Sequence, residues 1–227
     1  MDAGAAADGF ESLSRDARQR LMLLAGIALG NFGLETVAGL AAGSLSLRAD
    51  ALGFLAMGLM LADGLWSAGR PARVQAGATL ARLAVLLVAG AWVAVTTLYG
   101  FFGHEVPVPE VMGSFGVVAL AATGVSLYLL LPVRSDAGLV RRTWLQVRNG
   151  GIGNIAVMAA AGLVAMLGSG APDLLLAGVM VALFLSAVAP PALLAWRGWQ
   201  AVQAASSEAG SGPEQDEATP EPHEGQR

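Results

Sequence analysis

The sequence predicts an all-α integral membrane protein whose chain crosses the bilayer six times. Hydrophobic residues fill 55% of the 227 positions and charged residues only 13%, whereas a typical soluble domain has about 25% charged residues. Six apolar stretches follow one another, each close to the ~20 residues that a transmembrane helix needs. This composition and spacing are typical of a bundle of membrane-spanning helices.

The six predicted spans are separated by segments that break helices. Residues 69–71 (Gly-Arg-Pro) end span two, and the proline-containing segment 104–110 separates spans three and four. Residues 132–142 separate spans four and five, and residues 168–172 form a tight turn before span six. The predicted spans cover approximately residues 21–43, 49–67, 79–101, 111–131, 145–167 and 173–196.

The arginines indicate the orientation of the chain. If both termini are cytoplasmic, the loops on the opposite side hold only Arg48, and this matches the excess of Lys and Arg found in cytoplasmic loops. Lys is absent while Ala and Gly are abundant, which is typical of a GC-rich bacterial genome, so we expect the bacterial inner membrane. The arginines on the predicted cytoplasmic side are Arg15, Arg18, Arg20, Arg70, Arg73, Arg82, Arg134, Arg141, Arg142, Arg148 and Arg197.

Three segments are predicted along the chain. Residues 1–14 form a disordered N-terminus, residues 15–200 form the six-helix transmembrane domain, and residues 201–227 form an acidic disordered tail that is rich in Ser, Gly, Pro and Glu. No basic patch indicates nucleic-acid binding. Cys is absent, and no catalytic set of side chains is apparent on one side of the membrane, so we expect neither an enzyme nor a firmly bound cofactor.

The function is expected to depend on polar residues inside the spans, because each costs a few kcal/mol unless it is paired or hydrated. In span one, Asn31 and Glu35 are four residues apart and share a helix face. Asp50 lies near the start of span two, and Gln146 and Asn154 lie in span five. These five residues are the candidates for a functional site, although the asparagine of span five is equally well explained as an interhelical hydrogen-bonding residue.

Three further charged residues lie near the ends of the predicted spans. Asp63 lies on a different helix face from Asp50, and we expect it to be interfacial or ion-paired. Arg82 is expected to extend its side chain to the cytoplasmic surface. Arg48 either pairs with Asp50 or repels a cation.

Two runs of residues resemble the cation diffusion facilitator family. Residues 31–52 contain an Asn in span one, a Gly-Ser-Leu turn and an Ala-Asp-Ala opening of span two, as that family does. Residues 143–157 resemble its fifth span, and Asp173 stands where the family tends to have an acidic residue at the start of span six. The resemblance covers about residues 15–200.

The resemblance implies a bundle of the cation-efflux type, which forms a homodimer in the lipid bilayer. It also implies proton-coupled export of a divalent cation such as Zn, Mn, Fe or Co. The family holds its metal with two His or Asp ligands four residues apart on span two and two more on span five, since residues i and i+4 point the same way.

This sequence departs from the family at each ligand position. Glycine offers no side-chain ligand, Met suits soft metals, and Gln offers one neutral carbonyl, so Asp50 and Glu35 are the remaining candidates for metal ligands. The acidic tail stands where the family has a cytoplasmic metal-sensing domain, so we expect dimerisation to depend on the membrane helices. The positions that align with the family's ligands are Gly53, Met57, Gln146 and Gly150.

Three hypotheses follow from the sequence. The first is a divergent cation transporter of this superfamily, whose site is rebuilt around the five polar candidates. The second is a non-transporting relative that acts as a membrane partner or regulatory subunit. The third is a small-solute permease of another class.

Overall fold

The computed structural model describes residues 13–103, 105–133 and 138–210 of the chain. These residues form six α-helices and one short 3-10 turn (Leu131–Val133), and no strand occurs among them. The helices are α1 (Arg15–Ala41), α2 (Leu45–Ser67), α3 (Ala72–Gly100), α4 (Pro109–Leu130), α5 (Gly138–Leu167) and α6 (Ala171–Gly210).

The helices agree with the predicted spans in number and order. All six are long and apolar enough to cross a membrane, so their length and composition are compatible with a membrane bundle. The boundary of the predicted tail is different, because α6 continues to Gly210 where disorder was expected from residue 201. Ala fills four of the ten positions from 201 to 210, and Ala is the strongest helix former. The remaining predictions for residues 1–12, 134–137 and 211–227 and for His104 lie outside the described residues.

Short polar residues set the boundary between the first two helices. Ser14 caps α1 by accepting a hydrogen bond from the N–H of Ala17 at 3.1 Å, and Ser44 caps α2 through the N–H of Leu47 at 3.1 Å. Both side chains pair a backbone donor that the first turn of a helix leaves unpaired. Gly43 adopts φ 69° between the two helices, a conformation that a residue with a Cβ adopts at a cost.

The bundle has two ends, which we name by the termini of the helices. The terminal end holds the start of α1 and the later part of α6, and the distal end holds the turns after α1, α3 and α5. Helix α2 lies at the centre and packs against α1, α3, α5 and α6. The most apolar stretch of α2 is 67% buried within the protein, compared with 22–39% for the other helices. The polar residues Ser46 and Asp50 on α2 are therefore buried within the bundle.

Glycines allow the helices to approach one another closely. A Cβ on Gly58 of α2 would lie 2.6 Å from the Cγ of Leu29 on α1. A Cβ on Gly116 of α4 would lie 2.6 Å from the Cγ of Met158 on α5. Small residues at such contacts are typical of membrane helix pairs, where close packing replaces the hydrophobic effect.

Asp173 joins the start of α6 to the turn between α1 and α2. Its carboxylate accepts hydrogen bonds from the hydroxyl groups of Ser44 at 2.7 Å and Ser46 at 2.5 Å. It also accepts from the backbone N–H of Leu45 at 2.7 Å and of Ser46 at 3.0 Å. Asp173 is fully buried, so these four donors replace the water that an ionised carboxylate would otherwise need.

The same turn also contacts the start of α4. The N–H of Val108, the residue before α4, donates to the carbonyl of Ala42 at 2.9 Å. We call these hydrogen bonds, together with those of Asp173, the distal clasp. It ties the starts of α2, α4 and α6 to the end of α1.

Candidate functional site

A cavity of about 230 Å³ lies between α1, α2, α4 and α5. Its polar lining comes from three of these helices, with one carboxylate on α2, two hydroxyl groups on α4 and two amides on α5. The polar residues are Asp50, Thr123, Ser126, Gln146 and Asn154.

The rest of the cavity wall is apolar or made of glycine. Gly53 and Gly150 leave space on α2 and α5 because they carry no side chain. Met57 supplies a thioether, and the ring of Phe54 forms part of the wall. The apolar and glycine residues of the lining are Ala28, Gly53, Phe54, Met57, Val147 and Gly150.

Asp50 is the carboxylate of the cavity and is only 7% exposed. Its Oδ2 atom has no hydrogen-bond partner within the described part of the chain. The carboxylate lies against the backbone of α5, since a Cβ on Gly153 would be 2.8 Å from its Oδ1. A glycine at position 153 is therefore what gives the carboxylate room beside α5.

Asn154 follows Gly153 on α5 and has its amide held in one orientation. Its Nδ2 donates to the Oγ1 of Thr123 on α4 at 2.8 Å. This leaves the Oδ1 of Asn154 buried and without a donor among the described residues. The hydroxyl of Ser126, one turn further along α4, donates to the carbonyl of Ala122 at 2.7 Å, so its oxygen lone pairs remain available.

The four positions that the resemblance aligned with metal ligands all line this cavity. They come from α2 (Gly53 and Met57) and from α5 (Gln146 and Gly150), and Met57 and Gln146 are 89 residues apart in the sequence. Gln146 and Gly150 are exposed, whereas Asp50 is buried. Because α5 runs from the terminal to the distal end, the accessible part of the cavity on α5 is nearer the terminal end.

Glu35 and Asn31 do not line the cavity, although their sequence positions grouped them with Asp50. They are buried on α1, at 1% and 4% exposure. Both carboxylate oxygens of Glu35 lack a hydrogen-bond partner among the described residues, and so does the Nδ2 of Asn31. The carboxylates of Glu35 and Asp50 are close enough to interact electrostatically. The structure thus brings three of the five candidates into one cavity, while the other two are buried on α1 and do not line it.

The side chains do not form a conventional metal site. In residues 13–103, 105–133 and 138–210, no group of three or more His, Cys, Asp or Glu could hold a metal ion. Of the two candidate metal ligands, only Asp50 lines the cavity. Any cation bound there would meet one carboxylate together with neutral amide, hydroxyl and thioether groups.

The three remaining charged residues are held away from the cavity. Asp63 is ion-paired, as expected, but its partner is Arg82 on α3, with Arg82 Nη1 3.1 Å from Asp63 Oδ2. The expectation that Arg82 extends to the surface is therefore wrong. Its guanidinium group pairs with the carboxylate of Asp63, and its side chain is only 20% exposed. Arg48 donates from Nε to the carbonyl of Ser44 at 3.0 Å, and its charge interacts with Asp173.

Two residues of the cavity, Thr123 and Ser126 on α4, were not predicted from the sequence. They are three residues apart in an otherwise apolar span, and this spacing was the signal that could have identified them. Hydroxyl residues are common in membrane helices, where they bond back to the preceding turn, so the signal is weak without knowledge of the neighbouring helix.

A groove of about 710 Å³ lies along the outer face of α1, but it is open and mainly apolar. Within the described part of the chain, no charged residue lines it, and its lining residues are Gln19, Met22, Leu23, Gly26 and Ile27. Such a surface is typical of contact with lipid tails rather than of a solute site.

A scan against models of known protein families finds no match to this chain, and a search of curated proteins also finds none. Arguments about function therefore depend on the residues and the geometry described above.

Proposed function

We propose that this chain is a transmembrane transporter of the cation diffusion facilitator type, which moves a cation through the cavity between α2, α4 and α5. One observation carries the proposal. The four positions that align with the family's metal ligands lie on two helices far apart in sequence, yet all four line the same cavity. Convergence of this kind supports a transport site at the family's location with different chemistry.

The cavity offers a path from binding to release of a cation. The Asp50 carboxylate attracts a positive charge strongly because little water screens it. The oxygens of Ser126, Gln146 and Asn154 can replace waters that the cation loses. The carboxylate of Glu35 is close enough to Asp50 to interact with it electrostatically, so a cation at Asp50 would change the electrostatic environment of Glu35. We propose that this change couples cation binding to proton transfer.

The proposal extends to orientation and assembly. We place the protein in a bacterial inner membrane with both termini in the cytoplasm, so that the terminal end of the bundle faces the cytoplasm. The exposed lining of α5 is then on the cytoplasmic side, and the distal clasp closes the other side. This arrangement suits efflux, with the chain acting as a homodimer through its membrane helices.

Flux measurements in proteoliposomes test the proposal. A pH-sensitive dye in the vesicle lumen reports proton movement when Zn²⁺, Mn²⁺, Fe²⁺, Co²⁺ or organic ammonium ions are added outside. We expect at least one of these cations to move protons faster in vesicles with the wild-type protein than in protein-free vesicles, and none to do so with Asp50→Asn. Unchanged transport in a variant carrying both Asp50→Asn and Glu35→Gln would contradict the proposed site.

The second candidate function is a non-transporting relative that serves as a membrane partner or regulatory subunit. Two of the positions that align with metal ligands are glycines, Gly53 and Gly150, and this favours the second candidate. A protein that no longer transports metal does not need ligands at these positions. An absence of both flux and cation binding in the purified protein would support this alternative.

A further inference from the structure

We propose that the cavity binds a singly charged organic cation that bears N–H groups, such as a primary ammonium ion, and not a bare divalent metal. The ammonium group lies at Asp50 and Asn154, and the apolar body of the cation lies against Phe54 and Met57. This inference rests on the proposed function, because it names the chemical class of the cargo for the same cavity.

The number of charges in the cavity favours a monocation. Asp50 is the one ionisable residue among the described residues that line the cavity. One carboxylate balances one positive charge, whereas a divalent ion would keep a net charge in a low-dielectric site, which is costly. Glu35 does not line the cavity, so its carboxylate does not contact the cargo.

The unpaired polar atoms of the cavity are hydrogen-bond acceptors. Asp50 Oδ2 and Asn154 Oδ1 are both buried and have no donor in the described part of the chain. Asn154 cannot rotate to present its Nδ2 without losing the hydrogen bond to Thr123. Leaving such acceptors unpaired costs roughly 1–3 kcal/mol each, so a ligand that supplies N–H donors recovers this energy. An ammonium group has three donors.

The hydroxyl group of Ser126 strengthens the same preference. Its proton is used in the hydrogen bond to the carbonyl of Ala122, so the oxygen faces its surroundings as an acceptor. These oxygens could also coordinate a metal ion. A metal ion would, however, need further anionic groups to replace its hydration shell. No set of three potential acidic, His or Cys ligands occurs in the described segments.

The size and apolar wall of the cavity fit an organic body. A volume of about 230 Å³ corresponds to about eight water molecules at ~30 Å³ each. Asp50 and Met57 are seven residues apart on α2, which is about 10 Å along a helix at ~1.5 Å per residue. An alkyl or aryl group extending from the ammonium would therefore reach the ring of Phe54 and the thioether of Met57.

Binding to the full-length protein in lipid nanodiscs tests this inference directly. The probes are butylammonium, tetramethylammonium (which has the charge but no N–H group), butanol (which has no charge), and the chlorides of zinc and manganese. Titration calorimetry should rank butylammonium first. Asp50→Asn should weaken its affinity by roughly ten- to a hundredfold, the range expected for a hydrogen bond to a charged group.

Two further variants separate binding chemistry from folding. Glu110→Gln removes a charge from the exposed start of α4, away from the cavity, and should leave the affinity unchanged. Asn154→Asp adds a second carboxylate beside Asp50 and should shift preference from butylammonium towards manganese. Thermal unfolding of each variant shows whether it is folded, and Ser126→Ala provides a milder loss of one acceptor if Asp50→Asn does not fold.

The outcomes distinguish this inference from the proposed function. Equal or tighter binding of tetramethylammonium than of butylammonium overturns the role of the N–H donors. A different result would overturn only the inference: zinc or manganese binds and is transported in a manner that depends on Asp50, while butylammonium does not bind. The proposed transporter would then remain supported. If none of the cations binds and none gives Asp50-dependent flux, the inference and the proposed function both fail.

Discussion

At the scale of single residues, the contact between Asp50 and Gly153 determines where the negative charge of the cavity lies. Asp50 lies on the central helix α2, and its carboxylate lies close to the backbone of α5 at Gly153. The position of the charge therefore depends on the packing of two helices and on the lack of a side chain at one residue.

Gly153→Ala tests that dependence. The added Cβ would lie 2.8 Å from Asp50 Oδ1, so the terminal carboxylate must move. Because only the end of a side chain moves, we expect a stability change of no more than about 1 kcal/mol but a loss of cation flux on the order of tenfold. Gly162→Ala on the same helix is the control, since its Cβ would meet no atom within 4 Å. Equal flux in the two variants would contradict the prediction.

Asp173→Asn tests the contribution of the distal clasp to stability. In the variant, the Nδ2 of Asn is itself a donor and would face the hydroxyl and N–H donors that bind the carboxylate in the wild type. We therefore expect a loss of roughly 2–4 kcal/mol in the free energy of unfolding. Denaturant unfolding in detergent measures it. Asp16→Asn is the matched control, because Asp16 is 58% exposed in its ion pair with Arg20 and should change stability by less than about 1 kcal/mol. Similar losses in both variants would mean that the clasp adds nothing beyond a surface pair.

The sequence predicted single residues well where polarity alone identifies them. Asp50, Gln146 and Asn154 are polar residues in apolar spans, and all three line the cavity. Glu35 satisfied the same criterion but does not line the cavity, because helical periodicity gives the direction of a side chain on its own helix and not the identity of the helix it faces. The donors of Asp173 also could not be predicted, since they depend on the contact between α6 and a distant turn.

At the scale of secondary-structure elements, the ion pair between Asp63 and Arg82 links the central helix α2 to α3. Its atoms are 3.1 Å apart, and the side chains are 12% and 20% exposed. Removal of one partner leaves the other charge poorly hydrated, whereas removal of both avoids this cost.

A double-mutant cycle with Asp63→Ala and Arg82→Ala measures this link. We expect a coupling energy of about 1–3 kcal/mol, with the double variant more stable than the sum of the single losses implies. The cycle of Asp16→Ala and Arg20→Ala within α1 is the comparison, and an exposed i, i+4 pair should give only about 0.3–0.5 kcal/mol. A coupling energy for Asp63 and Arg82 as small as this would show that the two helices are held by apolar packing alone.

The helices were predictable because the length of a span and the positions of Pro and Gly are local properties of the sequence. The end of α6 was less predictable, since Ala- and Gln-rich sequence after a span continues a helix without any apolar pattern. The predicted start of disorder at residue 201 relied on the composition of residues 201–227 taken together. That overall composition hides the difference between residues 201–210, which are helical, and the residues after them.

At the scale of the whole molecule, the orientation in the membrane can be measured with introduced cysteines. The chain has no Cys, so each variant carries a single thiol. Ala72→Cys lies at the start of α3 and Glu105→Cys lies in the segment between the end of α3 and the start of α4, and both positions are exposed. With cytoplasmic termini, a membrane-impermeant maleimide added to intact cells should label Glu105→Cys alone. Ala72→Cys should react only after permeabilisation, and the reverse pattern would invert the proposed topology.

The assembly of the helices was the least predictable level. The sequence indicates six spans but does not indicate that α2 is central or that α4 contributes two hydroxyl groups to the cavity. These facts depend on contacts between residues distant in the chain. The resemblance to a known family paired positions on α2 with positions on α5 before any packing was considered, and these positions line one cavity. Membership of that family stays a prediction.

The distal clasp has a consequence for observing conformational change. The backbone N–H groups of Leu45, Ser46 and Val108 are all donors within it. Any state that opens the distal end must separate α4 or α6 from the turn after α1, and this separation exposes those amide protons to solvent exchange. Their rate of deuterium uptake would thus report the time that the protein spends open at the distal end, and it would do so without any attached probe.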